Sequence, residues 1–218
     1  MTDTHLMFKP HSVILFQGDS ITAAGRDYSR IGPNSPEGLG VGYAQKIAGA
    51  ILKNYPGKHL QFYNRGVSGN RVQDLYTRWE MDSLRLLPDL ISILIGVNDT
   101  WNQLVLGLGS DPDEYRVLSR KILEETRKAL PDSKLVLCEP FILLTGEVTE
   151  EWEADVTQRQ EIVRNLAEEY EGVFVPFQAA LDQEAQRVPP HRLLDDGVHP
   201  TDLGHQVLAE CWMKTVLG

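Results

Sequence analysis

A serine, a histidine and an aspartate lie at positions from which they could together carry acyl transfer. Ser20 lies in Phe16-Gln17-Gly18-Asp19-Ser20-Ile21-Thr22, directly after an apolar run. A serine hydroxyl is a weak nucleophile at neutral pH and needs an adjacent base. The base in turn needs a partner on its second ring nitrogen to fix its tautomer. His199, in Leu194-Asp195-Asp196-Gly197-Val198-His199-Pro200, is the candidate base. Asp196 stands three residues before it, where one turn of chain brings a carboxylate to Nδ1, and Asp195 is the rival one position further back. Attack on a carbonyl creates a negative oxygen, and each preorganised N–H aimed at it contributes about 10²–10³-fold in rate. Three candidate donors follow apolar runs: the backbone N–H of Ser20, the backbone N–H of Gly66, and the side-chain amide of Asn98. Singly each residue has a plainer reading. Asp19 or Ser20 caps a helix, the acids before His199 cap the last helix, and Gly and Asn are ordinary turn residues.

The elements that would position them are readable from periodicity. Short apolar, β-branched runs predict strands at 12–17, 60–64, 90–95, 134–139 and 173–177. Helical patterns lie between them at about 42–54, 71–87, 113–130 and 151–170, and a last helix from about 201 to 216 is capped by Thr201 or Asp202. Near-continuous apolar strands are those of a parallel sheet buried on both faces. Five of them alternating with helices predict a three-layer α/β/α architecture in one domain over residues 1–218. Two irregular segments, 26–41 and 100–111, leave the carboxyl ends of strands, where open α/β sheets bind ligands. On that topology Ser20, Gly66, Asn98, Asp196 and His199 share one rim of one sheet, and this coincidence is the signal.

Other chemistries fit poorly. The fifth positions of the five-residue segments that begin at Gly18 and Gly66 are Thr22 and Asn70, so neither completes the GxSxG elbow. Gly38-Leu39-Gly40-Val41-Gly42 lacks the last glycine of a dinucleotide fingerprint, and no Walker A or HExxH run occurs. Asp196 and His199 have no third metal ligand at a recognisable spacing. The chain has 218 residues with 21 basic and 31 acidic side chains, a net charge of −10, which disfavours nucleic acid and anionic membranes as partners. The first eleven residues lack the basic and apolar regions of a signal peptide, and no apolar run is long enough to span a bilayer. Cys138 and Cys211 form no CxxC pair and read as reduced thiols. The expectation is a soluble cytoplasmic protein, with self-association left open.

With those residues in place, the sequence resembles the SGNH/GDSL hydrolase family. Ser20, Gly66, Asn98 and His199 match its four marker residues in order, within Gly-Asp-Ser-Ile at 18–21, Gly-Val-Asn-Asp at 96–99 and Asp-Gly-Val-His at 196–199. The resemblance implies a flavodoxin-like sheet and ester hydrolysis without metal or cofactor. Ser20 would be the nucleophile, His199 the base, Asp196 its orienting acid, and Ser20, Gly66 and Asn98 the oxyanion hole. The segments 18–26, 64–75 with Arg78-Trp79-Glu80, and 88–101 look most like bacterial acetylxylan esterases, which deacetylate xylo-oligosaccharides. That likeness implies a small acetylated carbohydrate as partner. Asp19, Arg26, Tyr43 and Trp101 are then the candidate substrate contacts, Trp101 by stacking on a sugar face. The apolar stretch Leu104–Leu108 suits a polar sugar less well and leaves three alternatives: an acyl-chain site, a lid or an oligomer contact. A short-chain lipase, lysophospholipase or thioesterase on the same catalytic set, or a catalytically idle carbohydrate-binding relative, are the competing functions. Trp79 and Trp152, at helical spacing among apolar neighbours, read as core.

Overall fold

The run Leu90-Ile91-Ser92-Ile93-Leu94 is buried at every position, a pattern that suits a strand covered on both faces. It is the central strand of a five-stranded sheet in a computed structural model that describes residues 8–218. The first seven residues of the N-terminal segment discussed above lie outside that range. The strands are β1 (Val13–Gly18), β2 (Gln61–Asn64), β3 (Leu90–Leu94), β4 (Lys134–Cys138) and β5 (Val173–Val175), all paired in parallel in the order β2-β1-β3-β4-β5. Each predicted strand is present within two residues of its expected ends.

Alternation along the strands divides the core in two. Ile14, Phe16, Leu90, Leu94, Val136 and Cys138 face one layer, while Leu15, Ile91, Ile93, Leu135 and Leu137 face the other. The short helices α1 (Ser20–Ala23) and α2 (Pro36–Leu39) follow β1, and α3 (Tyr43–Asn54) then packs on the first layer. The predicted helix 71–87 is instead broken into α4 (Val72–Thr77), α5 (Trp79–Asp82) and a 3₁₀ turn at Leu84–Leu86. The predicted loop 100–111 is largely helical: α6 (Val97–Trp101) runs into a π-turn at Asn102–Leu106. Then come α7 (Pro112–Ala129), α8 (Glu151–Glu169), α9 (Phe177–Ala185) and α10 (Asp202–Leu217). Asp111 accepts from the Glu114 amide ahead of α7, and Thr201, one of the two expected caps, accepts from the Gly204 amide ahead of α10.

Two buried tryptophans hold the layers with their indole N–H groups satisfied. Trp79 donates to Thr126 Oγ1 and Trp212 to Ser92 Oγ, each at 3.0 Å. Trp79 and Trp152 are both core, as their spacing indicated. The strand order reverses direction between β1 and β3, so the crevice beyond their carboxyl ends is the natural ligand site of this topology. Among the described residues no helix is long and apolar enough to cross a membrane.

Candidate active site

β1 ends at Gly18, which lies against the next strand so closely that a Cβ there would sit 2.2 Å from the Leu94 carbonyl oxygen. No other residue fits that approach, and the tight exit aims the following turn out of the sheet. Asp19 caps α1 by accepting the Ile21 N–H at 2.9 Å. Ser20 therefore stands at the first position of that helix, half-buried, with its Oγ 2.9 Å from His199 Nε2. His199 Nδ1 is 2.7 Å from Asp196 Oδ2. The other Asp196 oxygen accepts the backbone N–H groups of Val198 and His199 at 2.9 and 2.8 Å. Asp195 is exposed, and its N–H donates to the His199 carbonyl, so Asp196 is the acid at the ring.

Burial works to raise the Asp196 carboxyl, but hydrogen bonds from the His199 amide, the His199 ring and the Val198 amide outweigh it and hold the pKa below the usual carboxylate value. The loop after β4 braces this acid. The Leu143 N–H donates to the Gly197 carbonyl and the Glu147 N–H to the Asp196 carbonyl, both at 3.0 Å. Gly146 sits at φ 60° against the Asp196 backbone, where a Cβ would come within 2.5 Å of Cα.

The donors are only partly those expected. The Asn98 side chain donates to the Asn70 carbonyl at 3.1 Å, which fixes the amide, and its second hydrogen has no acceptor among the described residues. The Ser20 N–H has no acceptor among the described residues. Gly66 is a correction. It is buried against α1, and its N–H is committed to Asn64 Oδ1 at 2.9 Å, so it is not available to an oxyanion. Gly69, three residues on, is exposed at φ 80°, and its N–H has no acceptor among the described residues. It adjoins Asn70, the residue that anchors Asn98. The segment offered two glycines, and only their relation to Asn64 separates them.

The expected substrate contacts also need correction. Tyr43 is 0% exposed, packed on Phe16 and Phe177 with its hydroxyl 2.9 Å from Thr22 Oγ1, so it is core rather than rim. Its spacing to Ile47 and Ile51 along α3 carried that signal. Asp19 is likewise buried and serves α1. Arg26 is buried with its Nε donating to the Gly66 carbonyl at 2.8 Å, so it braces the Gly66–Asn70 loop instead of facing solvent. Tyr28 braces the same loop by accepting the Ser68 N–H at 3.2 Å. Trp101 alone keeps a partly exposed ring, packed edge-on against Trp152.

Burial pushes the Asp19 carboxyl up to about 7, against the Ile21 amide and the charge of His199, with Asp99 adding to the rise. A group whose pKa rises on folding contributes stability below its unfolded value, near 4, and that contribution is lost as pH rises through its folded value. Asp19→Asn keeps an oxygen for the Ile21 amide and has no charge to bury. The wild type is therefore expected to lose melting temperature relative to Asp19→Asn as pH is raised from about 4 to about 8. Calorimetry of the two proteins across that range checks it, and parallel curves would remove Asp19 as the cause.

Comparison with known proteins converges on one family. Residues 16–207 match the GDSL-like lipase/acylhydrolase family. The chain is 34% identical over 207 residues to an acetylxylan esterase of Geobacillus stearothermophilus, covering 93% of each. Among solved structures, a protein of Parabacteroides merdae described as a GDSL-like lipase superposes with a TM-score of 0.94 at 40% identity, covering 98% of this chain and 99% of that one. Axe2, an acetylxylan esterase of Geobacillus stearothermophilus, does so with a TM-score of 0.86 at 34% identity over 96% of both chains.

Proposed function

This chain belongs to the GDSL-like lipase/acylhydrolase family, and on that premise we propose that it removes O-acetyl groups from carbohydrate, with acetylated xylo-oligosaccharides as its substrates. It is a carboxylic ester hydrolase. The observation that carries the reaction is the unbroken line from Ser20 Oγ through the His199 ring to Asp196, with spacings of 2.9 and 2.7 Å. In this reading His199 Nε2 takes the Ser20 proton as Oγ attacks the acetyl carbonyl. Asp196 holds the neutral ring with its proton on Nδ1 and stabilises the imidazolium that forms. The new oxyanion is received by the Ser20 N–H, the free hydrogen of the Asn98 amide and the Gly69 N–H, which takes the place expected of Gly66. The sugar alkoxide leaves with the proton from His199. Water then attacks the acetyl-enzyme, gives its proton to His199, and acetate departs as the proton returns to Ser20.

The substrate class rests on the 34% identity to an acetylxylan esterase across 93% of both chains. Trp101 is the one expected sugar contact that keeps an exposed edge at this rim. A cytoplasmic location goes with the reading, because an oligosaccharide is small enough to be taken up before deacetylation. In this reading the described residues act as one domain, and the reaction takes place at this rim of its sheet.

One observation favours a second reading. Leu104, Val105, Leu106 and Leu108 are 42–68% exposed on the π-turn and the bend that follow Trp101. Such a run could hold an acyl chain, as in a short-chain lipase or thioesterase. Two measurements decide between the readings. Acetate release from acetylated xylo-oligosaccharides, followed by NMR beside acetylated chitin-type sugars, is expected to be fast and selective. Hydrolysis of nitrophenyl esters is expected to fall sharply beyond acetyl, because one or two methylenes without a pocket forfeit binding that a lipase would gain. A maximum at six carbons or longer would replace the sugar deacetylase with the lipid reading.

A further inference from the structure

Arg78 breaks the helix that the sequence predicts over 71–87, sitting between α4 and α5 at φ −103°, ψ 6°. From that break its side chain, only 16% exposed, reaches back under the catalytic rim. One terminal nitrogen donates to the Gly18 carbonyl at 3.1 Å, two residues before Ser20. The other lies within 2.9 Å of both Gln17 Oε1 and the Arg65 carbonyl, and 3.2 Å from Asp82 Oδ2. Nε donates to Asn70 Oδ1 at 2.6 Å. The acceptors fall on both halves of the site. Gly18 and Gln17 end the strand that presents the nucleophile. Arg65 and Asn70 bracket the loop with Gly69, and the Asn70 carbonyl holds the Asn98 amide.

We propose that Arg78 is the positioning residue of the oxyanion hole, setting the distance between Ser20 and the Gly69–Asn98 donors through Asn70. The inference rests on the reading of those three groups as the oxyanion donors. Only a planar guanidinium offers five N–H donors in a fixed fork. A lysine ammonium places its donors at one point and cannot hold acceptors on two separate segments. Arg78 meets one carboxylate and otherwise four neutral oxygens, so its charge is directed at carbonyl and amide oxygens of the site rather than at a matched ion pair. Displacement of a catalytic group by about 1 Å costs on the order of 10²-fold in rate.

The test separates positioning from simple folding support. Arg78→Lys, Asn70→Ala and the double variant are compared on nitrophenyl acetate, with a fluorophosphonate that titrates reactive Ser20 counting competent sites. Asn70→Ala removes the tie at the Asn70 end of the loop, next to Gly69, and leaves the Arg78 contacts with Gly18, Gln17, Asp82 and the Arg65 carbonyl. Each single variant is expected to lose about 10- to 100-fold in kcat per titrated site, with KM within about threefold. The double variant is expected to be no worse than the weaker single, because the two residues act in series. Losses that vanish when scaled to titrated sites, additive losses, or an unchanged kcat in Asn70→Ala would overturn the inference. A wild-type protein that neither labels at Ser20 nor turns over would instead overturn the site reading itself, and this inference with it.

Discussion

Ser20→Ala is expected to lower kcat for acetyl ester hydrolysis by on the order of 10⁶ while leaving the fold intact. The size of the loss follows from how the site is built. Among the described residues Ser20 Oγ is the hydrogen-bond partner of His199 Nε2, and no other hydroxyl or thiol is hydrogen-bonded to that nitrogen. Both cysteines are elsewhere, Cys138 on β4 beside Ser92 and Cys211 on α10 with its sulfur toward the Pro176 carbonyl. Residual turnover is expected from the donors and the bound water alone, so the floor is not zero. The stability side is equally definite. Among the described residues the Ser20 hydroxyl has no side-chain hydrogen bond other than with His199, and the cap on α1 belongs to Asp19. Removing a half-exposed hydroxyl changes stability by less than about 0.5 kcal/mol, or about 1–2 °C in a protein of this size. Steady-state kinetics with calorimetry on the same sample check both halves. Substantial turnover with a normal melting curve would take the nucleophile away from Ser20.

The parts of this molecule that could be read from sequence are those where a one-dimensional pattern has a single structural solution. The run Leu90–Leu94 has to be a doubly covered strand, and a residue just past such a strand has to sit at the sheet's rim. That reasoning placed Ser20, Asn98 and His199 together before any geometry. It fails where the decision depends on which way a backbone group points. Gly66 and Gly69 are both glycines of one loop, but Asn64 turns its Oδ1 onto the Gly66 amide, while the Gly69 amide has no acceptor among the described residues. The broken helix at Arg78 is a case of tertiary contact overriding local pattern. Its apolar periodicity is good, and Leu75 and Trp79 do share one core face, but the guanidinium is drawn toward Gly18 and Asn70. Tyr43 is a different case. The resemblance suggests a rim contact, whereas the i, i+4, i+8 spacing with Ile47 and Ile51 marks a core residue. The π-turn at Asn102–Leu106 has no periodicity of its own to betray it, being a single wide turn grown from the end of α6.

The two aspartates before His199 give the second large effect, because only one of them touches the ring. In Asp196→Asn the side-chain oxygen can go on accepting the Val198 and His199 amides, so the loop keeps its shape. The other position then presents an N–H₂ to Nδ1 at a distance of 2.7 Å. Two donors cannot face each other, so the ring shifts its proton to Nε2, the nitrogen that must accept from Ser20. The base is lost through the wrong tautomer and the imidazolium loses its counter-charge, and kcat is expected to fall by about 10³–10⁴. Asp196 is 31% exposed and His199 44%, and that water access places the loss in the lower part of the range by screening the ion pair. Asp195 is exposed, and only its backbone N–H reaches His199, through the carbonyl. Asp195→Asn is therefore expected to stay within about threefold of wild type, the scale of an exposed charge change. The Asp196 pKa lies below the ordinary value, so Asp196 holds its charge through mildly acidic solution and contributes stability that is lost only as pH falls toward that lowered value. The asymmetry between the two variants, measured as kcat from neutral pH down to about 5, is the decisive comparison. A larger loss in Asp195→Asn would reassign the acid, and equal small losses would mean that His199 works without one.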